Sequence, residues 1–370
     1  MQAGRSAKKK KLSISHRTRN IILISIAAAL LIGSVLAVML AIYYAPIKLT
    51  ELPFSSQAQY DYTGSGFYAL SGTSIYYYDD RRVELNTVRN VNNPDVKLVV
   101  SANIALIYTN TAVYVMGSDS PVEIGGSILD VKCGKDYIAV YREDAAGAQT
   151  ITLYTSSMEE YETLSFDGVY ALDFGFDLSR SETLWTLDVD TQSSAPVSTI
   201  RTYDLGRRAA SGIVTVQNQL VEDVFFTDDC MFVVGTSTIR CVDRTRNSTN
   251  YTLPCYGLKL HDWSYSGDSV LMIFRDRGAE DYTKLTLYSM TDDDESTARR
   301  RTMTLEEGAL GVFSMSARLV VVTPDEIVRY RSNANIDTEK EFDAQITSVI
   351  KLKVGKLLVF RGTVPYLVGD

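Results

Sequence analysis

Ile75-Tyr76-Tyr77-Tyr78-Asp79 is the stretch on which the fold is read. Its skeleton is a branched apolar residue, two variable positions, then a tyrosine or a second apolar residue. The skeleton returns at Val113-Tyr114-Val115-Met116, Ile151-Thr152-Leu153-Tyr154, Ile200-Arg201-Thr202-Tyr203 and Ile239-Arg240-Cys241-Val242. Three further copies are Leu285-Thr286-Leu287-Tyr288, Ile327-Val328-Arg329-Tyr330 and Val364-Pro365-Tyr366-Leu367. Steps between first positions are 38, 38, 49, 39, 46, 42 and 37 residues. A period of roughly 40 residues, with several short alternating strands in each unit, marks a β-propeller.

Working outward from Ile75, four strands are expected at 57–62, 67–70, 73–78 and 82–88, lettered A to D from the centre outward. Alternation and β-branched or aromatic residues carry them, with Gly, Asn, Asp and Ser between. Further units span 96–124, 128–166, 169–216, 220–256, 258–307 and 309–342. The last unit offers only A (346–352), B (357–360) and C (364–368). A three-stranded blade would leave a raw edge, so residues 47–54 are expected to supply its outer strand from the other end of the chain. The fold class is therefore all-β: a propeller of eight four-stranded blades, seven being the alternative count. Entry through a D strand places the C–D face toward whatever precedes the propeller and the B–C/D–A face away from it.

Charge is unevenly placed. The 370 residues carry a net −8, yet the first twenty hold Arg5, Lys8 to Lys11, Arg17 and Arg19 and no acid. That leaves −15 on the other 350, which argues against nucleic acid as a partner. Residues 21–45 contain no charge. As a helix they would run about 37 Å, enough for a hydrocarbon core of about 30 Å. Tyr43 and Tyr44 end the segment at headgroup level, and the basic tail places the N-terminus inside. A cleaved signal peptide is the competing reading. No small-x-small site supports it, since Met39 or Tyr43 would occupy the −3 place. The expected division is a cytoplasmic tail 1–20, a transmembrane helix 21–45 and an extracytoplasmic propeller 46–370, single-pass in the cell membrane.

Chemistry is sparsely signalled. His261 is the one histidine outside the tail, which disfavours histidine dyads and multi-histidine metal sites. No Cys-x-x-Cys spacing occurs. Cys230 and Cys241 flank Gly235-Thr236; a two-residue turn there would set them opposite each other, within reach of a disulfide, the alternative being two small buried hydrophobes. The run Thr291-Asp292-Asp293-Asp294-Glu295, followed by Arg299 to Arg301, lacks the spacing of a calcium loop and reads as a charged loop. Long B–C loops are expected at 142–150, 188–198 and 275–283, carrying Arg142, Glu143, Asp144, Asp188, Asp190, Arg275, Asp276 and Arg277 as candidate binding-face residues. Asp130, Asp173, Asp223 and Asp262 recur near strand A, where an acid serves as a blade-to-blade hydrogen-bonding device.

Taken whole, the chain resembles a family of bacterial, mainly Firmicutes, membrane-anchored β-propeller proteins of unknown function, similar in texture to quinoprotein and WD40 propellers. Only Trp185 and Trp263 occur, so neither the tryptophan docking motif nor the Trp-Asp dipeptide is present. The resemblance therefore implies no quinone or other cofactor and carries over no active residues. The expected function is a membrane-tethered binding scaffold for a protein or cell-wall partner, without catalysis. The alternative is a glycoside hydrolase acting on surface glycans through axial carboxylates.

Overall fold

The computed structural model describes residues 31–34 and 47–368, apart from 72–73, 80–84, 91–95, 119, 167–168 and 193. The chain divides into two units, 1–46 and 47–370. In the second, eight separate four-stranded antiparallel sheets follow one another, which fixes the count at eight. Blade one is A Gln59–Tyr62, B Gly66–Ser71, C Ser74–Asp79 and D Leu85–Asn90. The recurring skeleton is strand C of every blade, from Ser74–Asp79 to Val364–Val368. Its first position is buried in blades one to seven because it faces the neighbouring blade.

Each blade is buried on both sides. Strand B of blade five, Cys230–Gly235, is buried at all six residues, as expected of a strand covered on both faces. Its side chains alternate between two cores. Phe232 and Val234 join Val270, Met272 and Phe274 of blade six, while Met231 and Val233 join Leu187 and Ile200 of blade four. The period-2 geometry of a strand makes this partition automatic. Among the described residues, eight apolar clusters occupy the eight blade-to-blade interfaces, one each. The ring therefore has no single core; it is held by eight equivalent seams.

Blade eight closes as expected. Leu49–Glu51 pairs with Val364–Val368, Leu49 opposite Val368 and Glu51 opposite Tyr366. The N–H of Leu52 continues the ladder to the Pro365 carbonyl at 2.9 Å. Leu52 and Phe54 then pack with Leu358 and Leu367 of blade eight and Tyr62 and Phe67 of blade one. The two chain ends thus share one seam.

Strand D of blade eight is entered from its C–D end, as read. Leu49 starts there, and Ile47 before it bridges Phe342, just past strand D of blade seven. Phe342 in turn donates to the Asp325 carbonyl in the B–C turn of blade seven. Successive strands twist by roughly 20–25°, so a D strand lies about 60–75° from its A strand and runs along the rim. The expected membrane helix, 21–45, lies outside the described residues except for the helical residues 31–34, and no helix of the described residues is long and apolar enough to cross a membrane.

Candidate docking face at the axis

Strand A of blades three to six carries one extra residue. The register skips Leu129 between Ile128 and Asp130, Leu172 between Ala171 and Asp173, Glu222 between Val221 and Asp223, and His261 between Leu260 and Asp262. These are β-bulges, which bend a strand and re-aim the residue that follows. In all four blades that residue is aspartate. Asp130 and Asp173 each turn an oxygen back on the next backbone N–H, at 2.9 and 2.8 Å. Asp61 of blade one does so without a bulge, at 2.8 Å.

Around the axis these acids meet lysines. Lys132 pairs with Asp173 at 2.5 Å and donates to the Phe174 carbonyl. Lys351 of blade eight holds both oxygens of Asp262 at 2.8 Å, and Lys353 holds Asp61 at 2.8 Å. Asp61 also accepts the N–H of Val100, and Asp262 that of Ser314. The recurring acid is thus a blade-to-blade link in blades one, four and six. Asp130 has the Tyr108 hydroxyl at 3.2 Å. Asp223 differs: among the described residues no cation pairs with it. Burial pushes its carboxyl up to about 6, and the neighbouring Asp173, Asp262 and Glu222 push the same way against the Val224 N–H. Of these five strand-A acids, Asp61, Asp173 and Asp262 pair with a lysine, and among the described residues Asp130 of blade three and Asp223 of blade five do not.

Strand A starts on the B–C face, because its first residue pairs with the last of strand B: Ser127 with Glu143, Tyr170 with Val189, Leu258 with Asp276. On that face, apolar side chains stay in solvent around the mouth of the axis. Leu129, Tyr170, Leu172, Leu220 and Tyr256 are 37, 61, 49, 42 and 86% exposed. They occupy four consecutive blades. Tyr170 also walls a cleft of about 300 Å³ with Ala148 from the B–C loop of blade three and Gln192 from that of blade four. Single exposed hydrophobes need no explanation, but their recurrence at the same end of four consecutive blades, among polar loops, suits an interaction surface.

The expected loop charges are distributed differently. Strands B and C run further than read, so the loops shrink to 144–148, 191–196 and 277–283. Asp188 is a correction: it lies within strand Thr183–Asp190, buried, paired with Arg201 on the adjoining strand. Arg142 donates to the Gly125 carbonyl at 2.9 Å and Glu143 ends strand B. Asp144 folds its own loop by accepting from Ala146 and Ala148, and Asp190 accepts from Gln192. Arg275 reaches the Glu280 carbonyl and lies over the Tyr282 ring, while Asp276 pairs with Lys284. Arg277 alone of the eight comes to the mouth, gripping the bulge residue Glu222 with two bonds of 2.7 and 2.8 Å. Charge type pointed to these residues; pairing makes most of them struts. The apolar rim was missed, although its signal was in the sequence: alternation breaks at Leu129-Asp130 and Leu172-Asp173.

The cysteine pairing is also corrected. The turn is two residues longer than read, so Cys230 faces Asp243 and Cys241 faces Phe232. Both are free, and both thiols point at the Asp292 carbonyl, at 3.1 and 2.8 Å. The acidic run is only partly solvated: Asp292 is buried and accepts from Thr227, whereas Asp294 caps a short 3-10 turn, Glu295–Thr297. Among the described residues no cluster of His, Cys, Asp or Glu is arranged to hold a metal.

No family model and no curated protein matches this chain. Solved propellers do. BamB from Moraxella catarrhalis aligns over 88% of this chain and 98% of its own, at 13% identity and TM-score 0.52. The WD40 domain of SCAP from fission yeast aligns over 87% and 98%, at 10% identity and TM-score 0.57. The computationally designed Ika8 protein aligns over 87% and 100%, at 11% identity and TM-score 0.56. At such identities the likeness is one of fold alone: this chain, like them, is a β-propeller.

Proposed function

We propose that this protein is a binding scaffold whose B–C face docks a protein partner at the mouth of the axis. The reading is carried by the exposed apolar run Leu129, Tyr170, Leu172, Leu220 and Tyr256, set in a body whose other large hydrophobes are mostly sealed between blades. A rigid ring with fixed loops loses little conformational freedom on binding, which suits it to this task. The uncharged segment 21–45 and the basic tail before it support tethering to a membrane with the propeller outside the cytoplasm. Cross-linking on intact cells, with a photoreactive residue at position 256 and another at position 213 on strand D of blade four, tests the reading. Specific adducts from 256 and none from 213 are expected; equal labelling at both would overturn it.

A second reading, a glycoside hydrolase, draws on Asp223. Its carboxyl is raised to about 6, first by burial, and lies beside the lysine-paired Asp173 and Asp262, a setting that suits a general acid. A panel of chromogenic glycosides with the wild type and Asp223→Asn decides it. Turnover lost in the variant would establish hydrolysis, and none in either removes it.

A further inference from the structure

The axial charge and the apolar rim coincide. Four neighbouring blades present the exposed rim, and the same four hold the bulged aspartates immediately inside it. The lysines that reach the strand-A acids are already committed. Lys132 is spent on Asp173, Lys351 on Asp262 and Lys353 on Asp61, and each also donates to a carbonyl. The guanidinium nearest the rim, Arg277, is spent on Glu222. Asp223 sits among Asp173, Asp262 and Glu222 with a single backbone donor. An isolated carboxylate in a partly dry site is costly, and a cation brought by a partner removes that cost.

We propose that the mouth of the axis receives a protein segment in which a lysine or arginine reaches Asp223 while its apolar neighbours rest on Leu129, Tyr170, Leu172, Leu220 and Tyr256. The inference rests on the docking reading above and names the chemistry of the partner. Geometry supports a side chain of that length. The rim residues belong to the first turns of strand A and to the connections just before it, whereas Asp223 follows the bulge one step further in. A long flexible stem with a charged tip matches an apolar collar with an acid below it. The tyrosines Tyr170 and Tyr256 add ring faces on which a guanidinium or an apolar side chain rests equally well. Complementarity of this sort fixes orientation and speeds encounter as well as adding affinity.

Selection of phage-displayed random dodecapeptides on the full-length chain in detergent micelles tests the proposal. Enriched sequences are then titrated as synthetic fluorescent peptides. Expected peptides carry a basic residue flanked by apolar ones. Their affinity falls about ten- to a hundredfold with Asp223→Asn, the value of one charge-assisted bond. It falls as much when the peptide base becomes glutamine, and the two changes together cost no more than either alone. Peptides lacking a base, weakened by Tyr170→Ser and Tyr256→Ser yet indifferent to Asp223→Asn, would overturn the inference and leave the docking reading standing. Failure to enrich any sequence overturns both. Self-association of the chain abolished by Tyr256→Ser would make a second copy the occupant and overturn the basic segment. Asparagine keeps an oxygen for the Val224 N–H, and serine replaces exposed rings, so folding is preserved in every variant.

Discussion

Asp223→Asn should stabilise the propeller at pH 8 and leave it unchanged near pH 4. The carboxyl is pushed from 3.8 to about 6 by burial and by the acids around it. A raised carboxyl means that the folded state binds its proton more tightly than the unfolded chain does. The ionised form therefore weakens the fold above pH 6, and that weakening fades as the pH falls through 6 toward 4. At about 1.4 kcal/mol per pH unit, and allowing for partial solvation, the cost at pH 8 is about 2–3 kcal/mol. Asparagine has the shape of the neutral acid and removes this cost at every pH. With about 2.1 cal/mol/K of unfolding entropy per residue over a body of roughly 320 residues, the melting temperature should rise about 3–4 °C. Calorimetry of wild type and variant at pH 8, 6 and 4 measures the difference directly. A variant that melts lower than wild type at pH 8, or a gap that widens on acidification, would refute the reasoning. Either result would mean that Asp223 has a cationic partner in the fold and that the axis lacks free negative charge.

The remaining expectations concern closure and the thiols. Leu52→Ala should cost about 2–5 kcal/mol, the usual range for a fully buried leucine. Leu52 is 2% exposed in the seam shared by blades eight and one, so denaturant titration should show one cooperative transition at lower midpoint; a local loss confined to the first strand would contradict closure by that strand. Cys230 and Cys241 should show no mass change on reduction and no alkylation until the chain unfolds, because both are buried as free thiols; a two-dalton shift on reduction would mean that these neighbouring thiols are oxidised to a disulfide. The hydrogen bond with Cys230, then burial, pushes the Cys241 thiol far up, which also keeps it unreactive.

The bland features proved the more readable ones. The C-strand skeleton beginning at Ile75 located all eight blades, since a residue packed between two sheets must be apolar whatever the loops do. The missing strand of blade eight was deducible from an edge that had to be covered. Charged candidates fared worse. Asp188 read as a loop residue because an acid in a buried strand is rare, and only Arg201 on the next strand makes it tolerable. Cys230 and Cys241 were misjudged by two residues of turn length, and register slips of that size leave the sequence pattern intact.

By itself the sequence determined a repeated four-stranded unit and its closure, because alternation and period follow from chain geometry alone; eight blades rather than seven was decided by the eight sheets of the structure. Tertiary structure decided which acids are neutralised. Lys132, Lys351 and Lys353 find Asp173, Asp262 and Asp61 on other blades, and the last two pairs span 89 and 292 residues of chain. Charge compensation depends on distance through space, to which local pattern is blind. That is why Asp223, which follows a bulge just as Asp173 and Asp262 do, is left without a lysine among the described residues while they are paired.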